Sequence, residues 1–318
     1  MKAVRIEGFA SQATLVVDET RKAPVCRHNV LVEVHHASVN PLDWKMQSAL
    51  ALIPRNVFTP VILGRDFSGV VAGVSNGVSD YQVGDRVFGF SMNFIRGTFA
   101  EYASVNVKHL AKVPDNVSLR DAATLPTAGV IVLQSLRKAH FIKGERIAIV
   151  GASGGVGTFA VQIAKALGAH VTGICSTNNL ELVRSLGADQ VVDYTQPDYL
   201  QQISQCDIVF DTTTGIYPIQ QWYPLLAKGG RYVSIAPDGK TMLSMYLNRL
   251  LAREPYAFFH SAIPSASDLK ELSRLMAEHR LKPVIDSQFS LSDINAAFER
   301  SRSKRARGKI VIDVKESD

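Results

Sequence analysis

Between residues 146 and 236 the chain alternates. Short apolar runs at 146–150, 170–175, 190–194, 207–211 and 231–236 are separated by segments with helical spacing near 156–167, 179–186, 197–204 and 218–227. In the first of those segments the apolar positions are Val156, Phe159, Ala160, Ile163, Ala164 and Leu167, the three-and-four spacing of one buried helix face. Regular strand–helix alternation predicts a parallel sheet covered on both faces. The first 120 residues have another texture: apolar or alternating runs at 30–34, 69–74, 85–90 and 99–105, punctuated by Asn40-Pro41, Asn76-Gly77 and Val83-Gly84-Asp85-Arg86. That pattern predicts a β-barrel or a strongly bent sheet. Past residue 237 helices are expected at 266–280 (Leu269, Leu272, Leu275, Met276) and 292–300, with a closing strand at 309–314. No internal repeat or low-complexity segment is present.

The junction of the first middle strand with its helix carries the clearest chemistry. Ile147 to Val150 run into Gly151-Ala-Ser-Gly-Gly-Val-Gly157, a glycine turn spaced G-x-x-G-x-x-G, one residue longer at the front than G-x-G-x-x-G. Glycines there permit positive φ and let backbone N–H groups approach a ligand. The helix start adds unpaired N–H donors and the positive end of a dipole, which suits a pyrophosphate. A glycine match alone is weak, but a strand before it and a helix after it make it a dinucleotide-binding signal rather than a plain close-packed turn. The residues expected to form this cradle are Gly151, Ser153, Gly154, Gly155, Val156 and Gly157.

Composition narrows the class. With 318 residues and 46% hydrophobic content the chain can bury a large core and is expected to split in two. No run of about eighteen apolar residues predicts a membrane span, and Met-Lys-Ala-Val-Arg-Ile-Glu lacks the apolar stretch of a secretory signal. Cys26, Cys175 and Cys206 are too few and too scattered for a disulfide framework, so a reducing cytoplasm is expected. The formal charge of +6 suits a phosphorylated cofactor without arguing for nucleic acid. The one basic run, Arg300, Arg302, Lys304, Arg305, Arg307 and Lys309, lacks accompanying stacking aromatics and reads as a solvated helix end before the last strand.

Across nearly its full length the chain resembles the quinone oxidoreductase branch of the medium-chain dehydrogenase/reductase superfamily, in its zinc-free form. The matching pieces are Ala37-Ser-Val-Asn-Pro-Leu-Asp-Trp-Lys45, Gly64-Arg-Asp-Phe-Ser-Gly-Val-Val71, Val83-Gly-Asp-Arg-Val-Phe88 and Leu125-Pro-Thr-Ala-Gly129. They continue with the glycine turn, Leu186-Gly-Ala-Asp-Gln-Val-Val-Asp-Tyr194 and Arg305-Ala-Arg-Gly-Lys309. The resemblance implies an α/β chain: a GroES-like β-barrel substrate domain at 1–122 and 286–318, and a Rossmann doubly wound parallel-sheet domain at 123–285. It also implies a homodimer joined at the Rossmann sheets.

Zinc-dependent relatives supply a Cys, a His-Glu pair and a second Cys to a catalytic metal, and zinc needs such thiolate or imidazole ligands. The corresponding positions here are Asn40–Asp43, Arg65-Asp66 and Thr127-Ala128-Gly129, without a Cys or His. Three cysteines cannot form the four-Cys structural zinc loop either, and His35 and His36 are adjacent on a strand, so they point to opposite faces. No metal is expected. Without a Lewis acid, alcohol oxidation loses its means of stabilising an alkoxide. Quinones and α,β-unsaturated carbonyls need less help, because hydrogen-bond donors suffice for the oxygen that takes up the charge.

Candidates for that work are Asn40, Asp43 and Lys45. Asn40 is either an orienting amide or a turn former before Pro41; Lys45 stands where several relatives carry an active-site tyrosine, or is a surface lysine. Arg65 is expected to pair with Asp66 or Asp43 in place of a metal. Phe94, Phe258 and Phe259 form either an apolar wall or simple core.

Cofactor choice rests on the end of the second Rossmann strand. An acidic residue about twenty positions past the glycines would bind the ribose hydroxyls of NAD and repel a 2′-phosphate. Cys175-Ser176-Thr177-Asn178-Asn179 holds none before Glu181, so NADPH is expected, with Ser176 and Asn179 as donors; the same residues also suit a helix cap. The arginine or lysine often found in this turn of NADPH-selective relatives is Asn178 here, while Arg184 lies on the following helix. By resemblance Thr127 and Ile235 border the nicotinamide, Thr213 the adenosine and Tyr194 the ribose phosphate. The expected function is NADPH-dependent reduction of quinones or enones. The alternatives are an NADPH-dependent enoyl-thioester reductase and a non-catalytic NADPH-binding sensor that binds RNA or a partner.

Overall fold

The computed structural model describes residues 1–7, 14–22, 24–50, 61–93, 95–213, 218–236, 239–250 and 256–315. In chain order the first strands are β1 (Lys2–Glu7), β2 (Thr14–Glu19) and β3 (Asn29–Val39), followed by α1 (Pro41–Leu50). Then come β4 (Asp66–Val74), β5 (Arg86–Phe90), β6 (Tyr102–Asn106), β7 (Leu110–Lys112), α2 (Leu119–Ala123) and α3 (Pro126–Lys138). The middle holds β8 (Arg146–Val150), α4 (Gly157–Ala166), β9 (His170–Cys175), α5 (Leu180–Ser185), β10 (Gln190–Asp193), β11 (Cys206–Asp211) and β12 (Leu226–Ser234). Last are α6 (Gly239–Leu250), β13 (Tyr256–Phe259), α7 (Ala266–Ala277), β14 (Ile285–Ser290), α8 (Ile294–Arg302) and β15 (Lys309–Asp313).

These elements form two compact units: Met1–Val130 with Pro264–His279 and Pro283–Asp318, and Ile131–Ile263 with Arg280–Lys282. In the first, a seven-stranded sheet runs β14-β15-β3-β4-β5-β7, with β6 also paired to β3. Its strands are antiparallel apart from the β14–β15 pair. The eleven-residue β3 is the spine: Ser38 is the Cα partner of Asp66 on β4, and Val39 of Ile310 on β15. The core behind it gathers Val32, Val34, Phe67, Val87, Phe99, Phe298, Ile310 and Ile312. Burying such side chains stabilises by about 2 kcal/mol each.

In the second unit a six-stranded sheet runs β10-β9-β8-β11-β12-β13, parallel throughout. Crossing from β8 to both β9 and β11 reverses the strand order at the ends of β8 and β11, the switch point where open α/β sheets bind ligands. Among the described residues no helix is long and apolar enough to cross a membrane.

Three expectations on elements shift. The helix expected at 218–227 is two 3-10 turns, Ile219–Gln221 and Tyr223–Leu225, leading into β12; Pro224 lacks the N–H and the room that an α-helix interior requires. The helix expected at 197–204 is one 3-10 turn, Tyr199–Gln202. The segment 264–279 groups with the first unit rather than the parallel-sheet unit. There Ser273 Oγ on α7 donates to the Lys112 carbonyl at 3.1 Å, and Asn116 Nδ2 donates to the Ala277 carbonyl at 3.0 Å.

Candidate functional site

In the first unit four elements converge on one carboxylate. Asp66, the first residue of β4, is fully buried and accepts five hydrogen bonds. Its Oδ1 takes the backbone N–H of Thr127 at 3.0 Å and the Thr127 hydroxyl. Its Oδ2 takes Ser38 Oγ at 3.1 Å, Asn40 Nδ2 at 2.9 Å and the Lys309 ammonium at 3.5 Å. Lys309, at the start of β15, also donates to Asn40 Oδ1 at 2.7 Å and to the Val39 carbonyl at 3.3 Å. The three protons of the ammonium thus meet three oxygens, the condition under which a buried charge is tolerated. Burial lowers the proton affinity of Lys309, while the charges of Asp66 and Asp43 hold it up.

Asp43 sits in the first turn of α1, 2% exposed, and its carboxylate accepts the Asn40 backbone N–H at 2.7 Å. Burial pushes this carboxyl up to about 7 against that hydrogen bond, with the Asp66 charge adding to the rise and Arg65 and Lys309 opposing it. Near neutral pH it is therefore shared about equally between its protonated and ionised forms. Asn40 and Asp43 are together as expected from the sequence. Lys45 is not with them: two residues along the helix it faces the other way, exposed, with its ammonium 5.7 Å from the Trp44 ring centroid. Of the two partners expected for Arg65, Asp66 takes Lys309 instead, while the Arg65 charge acts on Asp43; Arg65 also donates to Met92 Sδ at 2.7 Å and lies over the Phe90 ring. Thr127, expected at the cofactor, gives both its protons to Asp66.

Lys309 and Asp66 were the residues that sequence reasoning missed. Both lay in quoted motifs, but they are 243 positions apart and only the β15–β3–β4 register joins them. A lysine opening the apolar run Ile310-Val311-Ile312 was the available signal.

In the second unit the glycine turn has the expected form. Gly151 takes φ +76, and a Cβ on Gly157 would lie 2.0 Å from the Gly151 carbonyl, so glycine is required at both positions. Gly151 and Ala152 donate to the Ile174 carbonyl at 3.1 and 3.0 Å, and Thr212 Oγ1 donates to the Val150 carbonyl at 2.7 Å, which pins the turn between β9 and β11. A Cβ on Gly154 would meet only the Gly151 carbonyl at 3.4 Å, so chain packing does not demand glycine there and an open cradle remains. The N-cap of α4, Val156, makes no side-chain cap, leaving first-turn N–H groups for an anion. Ser153 and Gly155 complete the same turn.

Around the ends of the neighbouring strands, Asn179 Nδ2 donates to Ser176 Oγ at 3.0 Å while Asn179 Oδ1 is buried without a partner among the described residues. A ribose hydroxyl is a suitable donor for it. Thr213 gives its N–H and hydroxyl to the buried Asp211, which also accepts the Tyr232 hydroxyl at 2.7 Å. Tyr194 is 38% exposed at the end of β10, and Ile235 follows β12 half-buried. Glycine cradle, uncapped helix start and orphaned amide oxygen together fit a dinucleotide. Arg184 is held by Glu181 at 2.6 Å. Phe258 is buried and Phe259 exposed on alternate sides of β13, while Phe94 lies outside the described residues. In the basic run, Arg300 pairs with the nearly buried Asp286 and Arg302 reaches Glu299 and Gln47, so these are structural contacts.

A family model described as the alcohol dehydrogenase GroES-like domain matches residues 27–115, and one described as zinc-binding dehydrogenase matches residues 186–312. The chain is 34% identical to the chloroplast envelope quinone oxidoreductase homolog of Arabidopsis thaliana, with 98% of each chain covered. It is 31% identical to the mitochondrial NAD(P)H oxidoreductase RTN4IP1 of Mus musculus, over 99% of this chain and 89% of that protein. The solved quinone oxidoreductase from Coxiella burnetii superposes with a TM-score of 0.88 at 30% identity, covering 99% of both chains. The chain therefore belongs to the medium-chain dehydrogenase/reductase superfamily, in its quinone oxidoreductase branch.

Proposed function

We propose that this protein is a zinc-independent, NADPH-dependent reductase that delivers hydride to quinones or α,β-unsaturated carbonyls. The observation that carries the proposal is the Asp66–Lys309 cluster. At the positions where the resemblance places metal ligands, the chain has an amide, a carboxylate and a hydroxyl already bound to one another and to an internal ammonium. That donor set lacks the thiolate and imidazole zinc prefers, and the ammonium repels a divalent ion. Among the described residues no group of three His, Cys, Asp or Glu side chains could hold a metal. The names of the Arabidopsis and mouse relatives support the same chemistry: quinone as acceptor, NAD(P)H as donor.

When bound, the dinucleotide supplies the hydride. The chain's share is to hold and orient. The N–H groups of the glycine turn take the pyrophosphate, Ser176, Asn179 and Tyr194 take the ribose 2′-phosphate end, and Thr213 and Ile235 border the rest. On the acceptor side, Asn40 has a second Nδ2 proton beyond the one given to Asp66, and Lys309 fixes the amide so that it cannot turn its oxygen outward. That N–H stabilises a quinone or enone oxygen as it becomes anionic. Asp43, whose carboxyl burial raises to about 7, is the group that supplies the proton such an oxygen finally takes. Lys45, exposed and apart, is left out of this constellation. We further propose a homodimer, supported by the edge strand β13 with Phe259 and Ile263 exposed at and beyond it. The thiols of Cys26, Cys175 and Cys206 are free, which suits the cytoplasm.

The test is a panel of initial rates with chelator-treated protein: a small quinone, a planar polycyclic quinone, a simple enone and an enoyl thioester, each with NADPH and NADH. The proposal expects turnover with a quinone or the enone and a preference for NADPH. Turnover confined to the thioester, or to zinc-reloaded protein oxidising alcohols, overturns it.

A further inference from the structure

The acidic residue absent from the end of β9 stands on the next strand. Asp193 closes β10 as the Cα partner of Cys175, the last residue of β9, so its carboxylate lies beside the Ser176–Asn179 turn. It is 8% exposed and engaged from within the protein. Oδ2 accepts the Thr177 hydroxyl at 2.6 Å and Gln196 Nε2 at 3.5 Å; Oδ1 accepts the Thr195 N–H at 2.9 Å and the Thr195 hydroxyl at 2.8 Å. The two threonine hydroxyls are themselves 3.0 Å apart. Burial works against the charge, but the bonds from Thr177, Thr195 and Gln196 hold the carboxyl down to about 2, so it is ionised at every physiological pH.

A permanent negative charge at this point opposes a 2′-phosphate if it is free to turn toward it, and favours a ribose 2′-hydroxyl as a hydrogen-bond acceptor. We propose that Thr177 determines dinucleotide choice through Asp193: with Thr195 it keeps that carboxylate engaged, so that a turn with no acid of its own admits the 2′-phosphate. The proposal rests on the NADPH-dependent function given above and names the device that sets its selectivity. Thr177 acts here as a positioning residue. It is exposed, so its substitution leaves the core untouched. Its hydroxyl is the one Asp193 partner contributed by the turn itself.

The experiment is titration of the full-length protein with NADPH and with NADH by calorimetry, for the wild type and the variants Thr177→Val, Thr177→Ser, Asp193→Asn and Thr177→Val/Asp193→Asn. Thr177→Val is expected to weaken NADPH by about tenfold and to tighten NADH severalfold, while Thr177→Ser keeps the wild-type ratio. Because the effect runs through the Asp193 charge, Thr177→Val/Asp193→Asn is expected to recover NADPH affinity to within about twofold of the wild type. If Thr177→Val shifts both dinucleotides equally, or the double variant binds NADPH as weakly as Thr177→Val, the Asp193 route is wrong and Thr177 meets the phosphate or shapes the turn directly. Wild-type protein that binds NADH more tightly than NADPH overturns the cofactor assignment itself, before any variant is compared.

Discussion

Replacing Lys309 by Met tests whether the first unit is built around its buried charges. The side chains of Lys309 and Asp66 are 3% and 0% exposed, so the carboxylate left behind has no route to water. Breaking a buried pair from one side costs about 3–5 kcal/mol. Two features of the site set where in that range the cost falls. Thr127 N–H and hydroxyl, Ser38 hydroxyl and Asn40 amide still donate to Asp66, which softens the loss. Asn40 Oδ1 and the Val39 carbonyl lose a donor in a buried setting, each worth about 1–3 kcal/mol. These contributions overlap, and the expected destabilisation for Lys309→Met is about 3–4 kcal/mol. The charge-neutral pair Lys309→Met/Asp66→Asn should cost about 1–2 kcal/mol, because the new amide accepts from Thr127 and donates to Asn40; the implied coupling is at least about 2 kcal/mol. The assay is native-state hydrogen exchange by mass spectrometry on peptides covering β3 and β15, which reads the first unit by itself, with urea unfolding as the control. For Lys309→Met, protection of these strands should fall by about two to three orders of magnitude. A Lys309→Met protein within about 0.5 kcal/mol of the wild type, or a double variant as unstable as the sum of the singles, refutes the reasoning.

Other outcomes are as specific. Gly154→Ala should fold with wild-type stability yet lose dinucleotide binding by at least about tenfold, since its Cβ enters the cradle and not the core; Gly157→Ala should be destabilised as well, its Cβ striking the Gly151 carbonyl. Calorimetric titration beside thermal melts separates the two. Asp43 has its folded carboxyl near 7 against 3.8 unfolded. The unfolded chain therefore loses its proton first, and this contribution to stability is fully present below about 4 and is lost as pH rises to about 7. The unfolding free energy from urea titration should fall by about 1.4 kcal/mol per pH unit across that window in the wild type and not in Asp43→Asn. In turnover assays Lys45→Ala should stay within about twofold of wild-type kcat, and a loss above tenfold would return Lys45 to the site.

The parts of this protein that were legible in the sequence are those whose physics is local. Strand β8, the glycine turn and α4 follow from an apolar run, Gly151 and Gly157 at positions that exclude a Cβ, and one helical stripe. The segment from Pro218 to Leu226 has the apolar spacing of a helix, but Pro224 and tertiary packing of the fully buried Trp222 decide against one. The Asp66 hub could not be seen because its donors come from residues 38, 40, 127 and 309, joined only by sheet register and the start of α3. Asp193 escaped for a related reason. The chain following β9 holds no acid before Glu181, whereas parallel pairing brings the end of β10 alongside it. Of the two partners expected for Arg65, Asp66 and Asp43, its charge acts on Asp43, while the ammonium bound to Asp66 comes from Lys309 on β15, which adjacency in the chain does not reveal.

Hydride transfer to a quinone without metal is the reaction on which the proposed function rests. Protein exhaustively treated with chelator, verified free of zinc by elemental analysis and loaded with one equivalent of NADPH, would be mixed anaerobically with a planar polycyclic quinone in a stopped-flow instrument. The predicted result is loss of the reduced nicotinamide absorbance at a rate that saturates with quinone concentration and is unchanged by added zinc. Decay no faster than the protein-free mixture, or decay that appears only when zinc is restored, would contradict it.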